Sequence, residues 1–162
     1  MSLPSIAVSQ SPEERFREYL ASRPKPQRFT EQQRELVEHV FRKHSHFEAE
    51  QLVDELHRAG KLASRATVYR TLAKLVDAGL LRKVEIGART IFDHDYGYPW
   101  HEHLVCDRCN EIVEFQHPGI DDALKEIAAQ HGFRATEHTL VVRGTCSACL
   151  ASEQAGRRRL VM

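Results

Sequence analysis

Four cysteines, the whole complement of this 162-residue chain, fall into two Cys-x2-Cys pairs, Cys106 with Cys109 and Cys146 with Cys149, and 36 residues separate the pairs. Each pair fits a tight turn with both sulfurs pointing the same way, so the chain between must fold back before the four can meet. Together they suit a closed tetrahedral zinc site. Two disulfides or a thioredoxin-like redox pair are the competing readings. Against them, nothing in the sequence suggests export, and a chain of this size needs no disulfide staples to bury a core. Immediately before the first pair stands His101-Glu102-His103, so two imidazoles, a carboxylate and a thiol pair share nine residues. Packing alone does not ask for that density. The cysteines are therefore read as structural, and the working chemistry is sought among the histidines and carboxylates.

The bulk properties bound the rest. With 41% hydrophobic and 28% charged residues, the chain has the composition of a soluble globular protein. No apolar run approaches the length of a membrane span, and residues 1–10 lack the positive start and apolar core of a signal peptide, so no membrane partner and a cytoplasmic location are expected. The formal net charge is zero, yet residues 61–89 carry Lys61, Arg65, Arg70, Lys74, Arg82, Lys83 and Arg89 against Asp77 and Glu85. That local excess suits a polyanion; a solvated charged face would look the same on charge alone.

A series of helices and a hairpin are legible in the first half. Ser11-Pro12-Glu13-Glu14 offers a cap, a proline at the first helical position and an acid three residues after the cap. Phe16, Tyr19 and Leu20 give the helix that runs through Ser22 an apolar face, and residues 23–28, with two prolines and three positive charges, break it as a basic linker. Thr30 caps a helix marked by Leu36, Val37, Val40 and Phe41. Another starts near Phe47, is marked by Ala49, Leu52, Val53 and Leu56, and stops at Gly60. Ser64 caps the next, with Val68, Leu72, Leu75 and Val76 on one face and Arg65, Thr67, Tyr69, Arg70 and Lys74 on the other, and Gly79 ends it. Helix, turn and a second helix with a basic, aromatic face is the pattern of a helix-turn-helix, whose second helix enters the major groove of double-stranded DNA. Strands at 81–86 and 89–93, joined at Gly87-Ala88, add a wing. A helical bundle with a charged face is the alternative.

Residues 95–100, Asp-Tyr-Gly-Tyr-Pro-Trp, break the periodicity and read as a hinge. Beyond it, residues 103–107 and 111–115 read as strands flanking the first cysteine pair. Residues 118–131 read as a helix with Ile120, Ala123, Leu124, Ile127 and Ala128 on one face, and 136–144 as a third strand with Leu140, Val141 and Val142 as a buried run. So small a unit buries little surface alone, and metal and dimer contacts are both expected to support it.

From Phe29 to Cys149 the chain resembles the ferric uptake regulator family of metal-dependent bacterial repressors. The resemblance rests on Ala66-Thr67-Val68-Tyr69-Arg70-Thr71-Leu72, on Asp77-Ala78-Gly79-Leu80, on the run from His101 to Cys109, and on Glu137-His138 ahead of the second cysteine pair. With the elements read above it implies an α+β chain: a winged helix-turn-helix DNA-binding domain at 1–95, to which the helix at 11–22 is added, a hinge at 96–100, and a small α/β dimerisation and metal-binding domain with a four-cysteine zinc site at 101–150; residues 151–162, outside the resemblance and carrying Arg157, Arg158 and Arg159, read as a basic, disordered tail. It also implies a homodimer on a DNA operator, closed by metal. Structural zinc falls on Cys106, Cys109, Cys146 and Cys149, and the family's sensing site on His46, Asp93, His101, His103 and Glu114. His101 and His103, two apart on a strand, project from one face, and His46 and Asp93 lie on the other side of the hinge. Ligands drawn from two bodies are what a metal switch needs, because the ion then favours one relative orientation. His39, His44, His57, His94, His117 and His131 read as ordinary histidines. An additional metal site would fall on Glu102, Asp121 and His138, but its fourth position is Trp100, where many members have His, and Trp cannot coordinate. Asp121 equally suits the first turn of a helix, and His138 an ordinary hydrogen bond.

The sensing set offers only nitrogen and oxygen, which accommodate Fe2+, Mn2+ or Zn2+. Zinc sensors of the family often add a thiolate, and every thiol here is committed elsewhere. Peroxide sensors of the family share the two cysteine pairs and Asp93 but tend to carry Asp at the position of Glu114. The expectation is an iron-responsive repressor and not an enzyme, with manganese, peroxide and zinc sensing behind it. Two rivals from other classes are a zinc hydrolase using Glu102 as general base and a DNA-binding protein with purely structural zinc.

Overall fold

The computed structural model describes residues 7–43, 45–61 and 63–159, so His44 and the last three residues of the expected tail lie outside the described residues. Two compact units share the chain, one closing at Pro99 and the other opening at Trp100.

The first unit begins with caps that the local sequence dictates. The Ser11 hydroxyl accepts the Glu14 N–H and the Glu14 carboxylate accepts the Ser11 N–H, a capping box that opens α1 (Pro12–Ser22). Thr30 and Gln33 repeat the exchange at the start of α2 (Glu31–Arg42). Next come α3 (Ala49–Arg58) and α4 (Arg65–Asp77), the latter capped by Ser64. Each helix carries apolar residues three and four apart, and these stripes close on one another. Phe16, Leu20, Leu36, Val37, Val40, Leu52, Leu56, Val68, Leu72 and Leu75 are at most 1% exposed. Gly79, at φ 64, ends α4 by donating to the Val76 carbonyl while Leu80 donates to that of Leu75, both at 2.9 Å. This left-handed glycine cap drops Leu80 and Leu81 into the core and launches the wing.

The wing is an antiparallel pair, β1 (Leu81–Ile86) and β2 (Arg89–His94), whose register runs from Ile86 opposite Arg89 to Leu81 opposite His94. Phe47 exchanges both backbone hydrogen bonds with Phe92, at 3.2 and 2.8 Å, so the chain entering α3 is laced to β2. Tyr96 and Tyr98, expected in the hinge, instead pack within this unit. Tyr96 lies against the core and its hydroxyl donates to the Gln10 carbonyl at 3.2 Å, while Tyr98 stacks on His94 with ring centroids 4.9 Å apart. Large aromatic rings find apolar cover where it is available, and here it is available.

The second unit is β3 (Glu102–Cys106), β4 (Ile112–Phe115), α5 (Pro118–Gln130), β5 (Val141–Gly144) and α6 (Ser147–Arg159). Its sheet has the order β4-β3-β5, with β3 antiparallel to β4 and parallel to β5. Three expectations need correction here. The third strand is four residues long rather than nine, because at Leu140 the backbone N–H goes to the Glu102 side chain instead of the ladder. Its apolar run is not buried, with Val142 44% exposed, and no residue of α5 is buried either, Ile127 being 53% exposed. Lastly, the expected disordered tail is helical through Arg159: the Leu150 N–H bonds to the Cys146 carbonyl at the first turn, Arg108 pairs with Glu153, and the segment holds no proline.

Candidate metal centres and nucleic-acid interface

The sheet register brings the two cysteine pairs together. Cys106 ends β3 opposite Gly144 of β5, two residues before Cys146, and the Asp107 N–H bonds to the Gly144 carbonyl at 2.8 Å. Asn110, at φ 59, turns the chain back after Cys109; Asn tolerates that left-handed conformation better than most residues. The Cys106 and Cys149 sulfurs are 3.9 Å apart and those of Cys109 and Cys146 3.7 Å, and all four lie within 4.8 Å of one another. Four sulfurs bound to one zinc at about 2.3 Å stand about 3.8 Å apart, whereas a disulfide needs about 2.05 Å. The geometry fits a structural zinc and rejects the disulfide reading.

The thiol electrostatics agree. Backbone N–H groups of Cys109, Cys146 and Arg108 pull the Cys106 thiol down to about 6. Cys149 is pushed up to about 12, chiefly by its hydrogen bonds to the Cys146 and Cys109 thiols. At Cys146 the backbone hydrogen bond at Cys149 pulls downward most strongly, yet burial and the Cys109 and Cys106 thiols together leave it raised. The first thiolate forms readily and the next are resisted, the behaviour of a cage that a dication completes.

Each unit holds part of the expected sensing set. In the first, the rung between Phe47 and Phe92 sets His46 beside Asp93, with His46 Nε2 3.5 Å from Asp93 Oδ1. Arg82 donates through Nε and a terminal nitrogen to Asp93 Oδ2, at 2.8 and 2.7 Å. The two carboxylate oxygens are thereby differentiated: the guanidinium fixes one, and the other turns toward the imidazole. In the second unit, the His101 and His103 rings stand 5.0 Å apart by centroid, and Glu114 of β4 lies directly across from His103. Both histidines are buried and Glu114 is half-buried. Of the additional set, Glu102 meets His138 at 2.6 Å and His138 approaches Asp121 at 3.7 Å, on opposite ring nitrogens.

On α4, Arg65, Tyr69 and Arg70 are exposed, whereas Thr67 and Lys74 are half-buried. Thr67 is occupied locally, its hydroxyl 2.9 Å from that of Ser64, and Lys74 donates to Gln27 of the basic linker at 2.5 Å. Glu50 of α3 takes both the Tyr69 hydroxyl and the Arg65 guanidinium. The bond lowers the Glu50 pKa and raises that of Tyr69. The positive excess read along residues 61–89 is thinner in space, because Lys61, Arg65, Arg82 and Arg89 face Glu35, Glu50, Asp93 and Glu48. Arg82 and Glu50 are the functional neighbours that sequence reasoning missed. Arg82 was within reach: a two-residue loop at Gly87-Ala88 places it opposite Asp93. Glu50 carries no such signal.

The model of the Ferric uptake regulator family matches residues 25–143. The Ferric uptake regulation protein of Neisseria gonorrhoeae is 35% identical over 116 residues, 69% of this chain and 79% of its own length. Among solved structures, a ferric uptake regulator from Francisella tularensis with iron superposes with a TM-score of 0.68 at 26% identity, covering 78% of this chain and 97% of that one. A zinc uptake regulator complexed with zinc and DNA superposes with a TM-score of 0.60 at 26% identity, covering 90% and 99%.

Proposed function

The chain belongs to the ferric uptake regulator family, a family of metal-responsive transcriptional regulators and not enzymes, and from that premise we propose that it is a repressor that senses ferrous iron and binds a DNA operator as a homodimer in the cytoplasm. The observation that carries the reading is the division of ligands. His46 and Asp93 offer two donors in the first unit, and His101, His103 and Glu114 offer up to three in the second. Neither group completes the shell of an octahedral ion by itself. Bound to both groups, a divalent ion supplies a link between the units worth more in one orientation than in others.

The ligand chemistry supports a choice of metal. All four thiols gather in the cysteine cage, so the sensing donors are imidazole and carboxylate, the set that suits ferrous iron and manganese better than a thiolate-rich zinc sensor. Arg82 adds a feature of this chain, since it restricts Asp93 to one ligating oxygen and holds it in place before any ion arrives. The DNA face is α4, where Tyr69 contacts thymine methyl groups, Arg70 a base or phosphate, and Arg65 and Lys74 phosphates. Self-association is supported by the apolar surface of the second unit, where Leu104, Ile127, Phe133 and Val142 stand between 42% and 75% exposed. Exposed apolar side chains in so small a unit favour burial against a second copy.

The test is a DNA-binding titration with Fe2+, Mn2+ and Zn2+ supplied one at a time to zinc-loaded protein, and with peroxide added to the ferrous form. Iron should tighten operator binding at the lowest free concentration, and peroxide should not abolish it irreversibly. Affinity that ignores iron and manganese would leave a DNA-binding protein with structural zinc alone.

A further inference from the structure

The additional metal site implied by the family pattern on Glu102, Asp121 and His138 does not fit the residues present. One ion requires one donor atom from each ligand, converging at roughly 2.0 to 2.2 Å. Here the His138 ring lies between the two acids and shows each a different nitrogen, Nε2 to Glu102 Oε1 at 2.6 Å and Nδ1 to Asp121 Oδ1 at 3.7 Å. An ion on either nitrogen would face one acid and be screened from the other by the ring. Both Glu102 oxygens are also engaged by N–H donors. Oε1 accepts the Trp100 indole N–H at 3.0 Å, and Oε2 accepts the Leu140 backbone N–H at 3.0 Å. Each such donor occupies lone-pair space on the oxygen and presents a positive hydrogen where a cation would approach. Glu102 is only 5% exposed, and a buried carboxylate persists only when its oxygens are well served. Trp100, His138 and Leu140 serve them without an ion.

We propose that Trp100, Glu102 and His138 form a metal-free clasp that stands in for an additional metal in this chain. Trp100 lies just past the boundary at Pro99; its carbonyl accepts the Gln116 side-chain amide at 2.5 Å and its ring lies against that of His138, with centroids 5.5 Å apart. Glu102 opens β3, while His138 and Leu140 lead into β5. The clasp therefore ties the two parallel strands at their start, and the cysteine cage ties them at their end, where Cys106 lies opposite Gly144. Tryptophan is the residue that makes this possible: a ligand at position 100 would bring a lone pair to the carboxylate, whereas the indole brings only a donor.

Metal content of the metal-saturated parent, His138→Gln and Trp100→Phe, counted by elemental mass spectrometry after gel filtration, tests the clasp alongside thermal unfolding of the same samples. All three should hold the same number of equivalents, with lower unfolding midpoints in the two variants. Any equivalent in the parent that His138→Gln loses would overturn the proposal, as would unfolding midpoints unchanged in both variants. Should those variants fail to fold, Asp121→Ala, outside the clasp and half exposed, decides: metal content equal to the parent's upholds the clasp, and a lost equivalent contradicts it. The outcome is separable from the sensing reading, because failure of that reading lowers the count in the parent and the variants alike and leaves their difference untouched.

Discussion

The two units reach stability by different physical routes. The first closes an apolar core in which Leu36, Val40, Leu52, Leu56, Leu72 and Leu75 are fully enclosed, and burial of that kind contributes about 1.5 to 3 kcal/mol per side chain. The second buries, among its described apolar residues, only Val105 and Cys106. Its sheet is instead pinned at one end by four sulfurs and at the other by the clasp on Glu102, and its remaining apolar surface faces outward. The fold of a unit held by hydrophobic burial does not depend on metal or on partners, whereas the fold of one held by ligands and a partner depends on both. The regulated half of a metal switch needs the second kind of stability.

The largest effect that would break this contrast lies at the cysteine cage. Cys106→Ser or Cys149→Ser should remove a ligand from a site whose binding free energy is on the order of 10 kcal/mol and is coupled to folding. Zinc and the dimer should be lost together while helical signal from the first unit persists; a stable dimer retaining a full zinc equivalent would end the four-cysteine assignment. Next in size, Leu36→Ala should destabilise the first unit by about 2 to 5 kcal/mol and leave zinc content unchanged. If zinc and the first-unit core fall together in either variant, the two routes are not separate.

Protons sharpen the comparison further. With its pKa depressed from 9.0 to about 6, Cys106 stabilises the metal-free second unit fully above about pH 9, and that contribution is lost as pH falls through about 6. Cys146 and Cys149 are raised, so near pH 7.5 both keep their protons until zinc enters. Zinc uptake should then release at least those two protons, read by calorimetry in buffers of different ionisation enthalpy. Uptake without proton release would mean the cage is already ionised. The smallest effect is on the first unit: Lys74→Ala should weaken binding to all DNA sequences alike and lower the salt dependence by about one phosphate contact. An unchanged salt slope would remove Lys74 from the phosphate set and leave it a brace for Gln27.

What the sequence made legible is what local physics decides. Ser11, Thr30 and Ser64 announce their helices because a cap acts within three residues. The wing follows from a two-residue loop and alternation, and the cysteine cage from spacing. What stayed hidden depends on partners far along the chain. Glu50 meets Tyr69 only because α3 crosses α4, and the Trp100 indole finds His138 only through the β5 crossover. The expected buried run at Leu140, Val141 and Val142 failed for a related reason: an apolar pattern tells that a surface seeks cover, not whether the same chain supplies it. The helix through residues 147–159 is obscured by its arginines and by Gly156, which suggest a tail, although a single glycine without a proline does not stop a helix.

The central claim is that His46 and Asp93 bind the same ion as His101, His103 and Glu114 and so convert metal binding into DNA affinity. Metal affinity and operator affinity measured on one preparation of His46→Ala test it most directly, with His103→Ala as the reference that should lose metal almost completely. His46→Ala should bind metal more weakly, keep its structural zinc and its dimer, and even at saturation show a reduced metal-dependent gain in DNA affinity, a coupling of typically about 1 to 3 kcal/mol. A saturated His46→Ala protein that grips the operator as tightly as the parent would contradict the account.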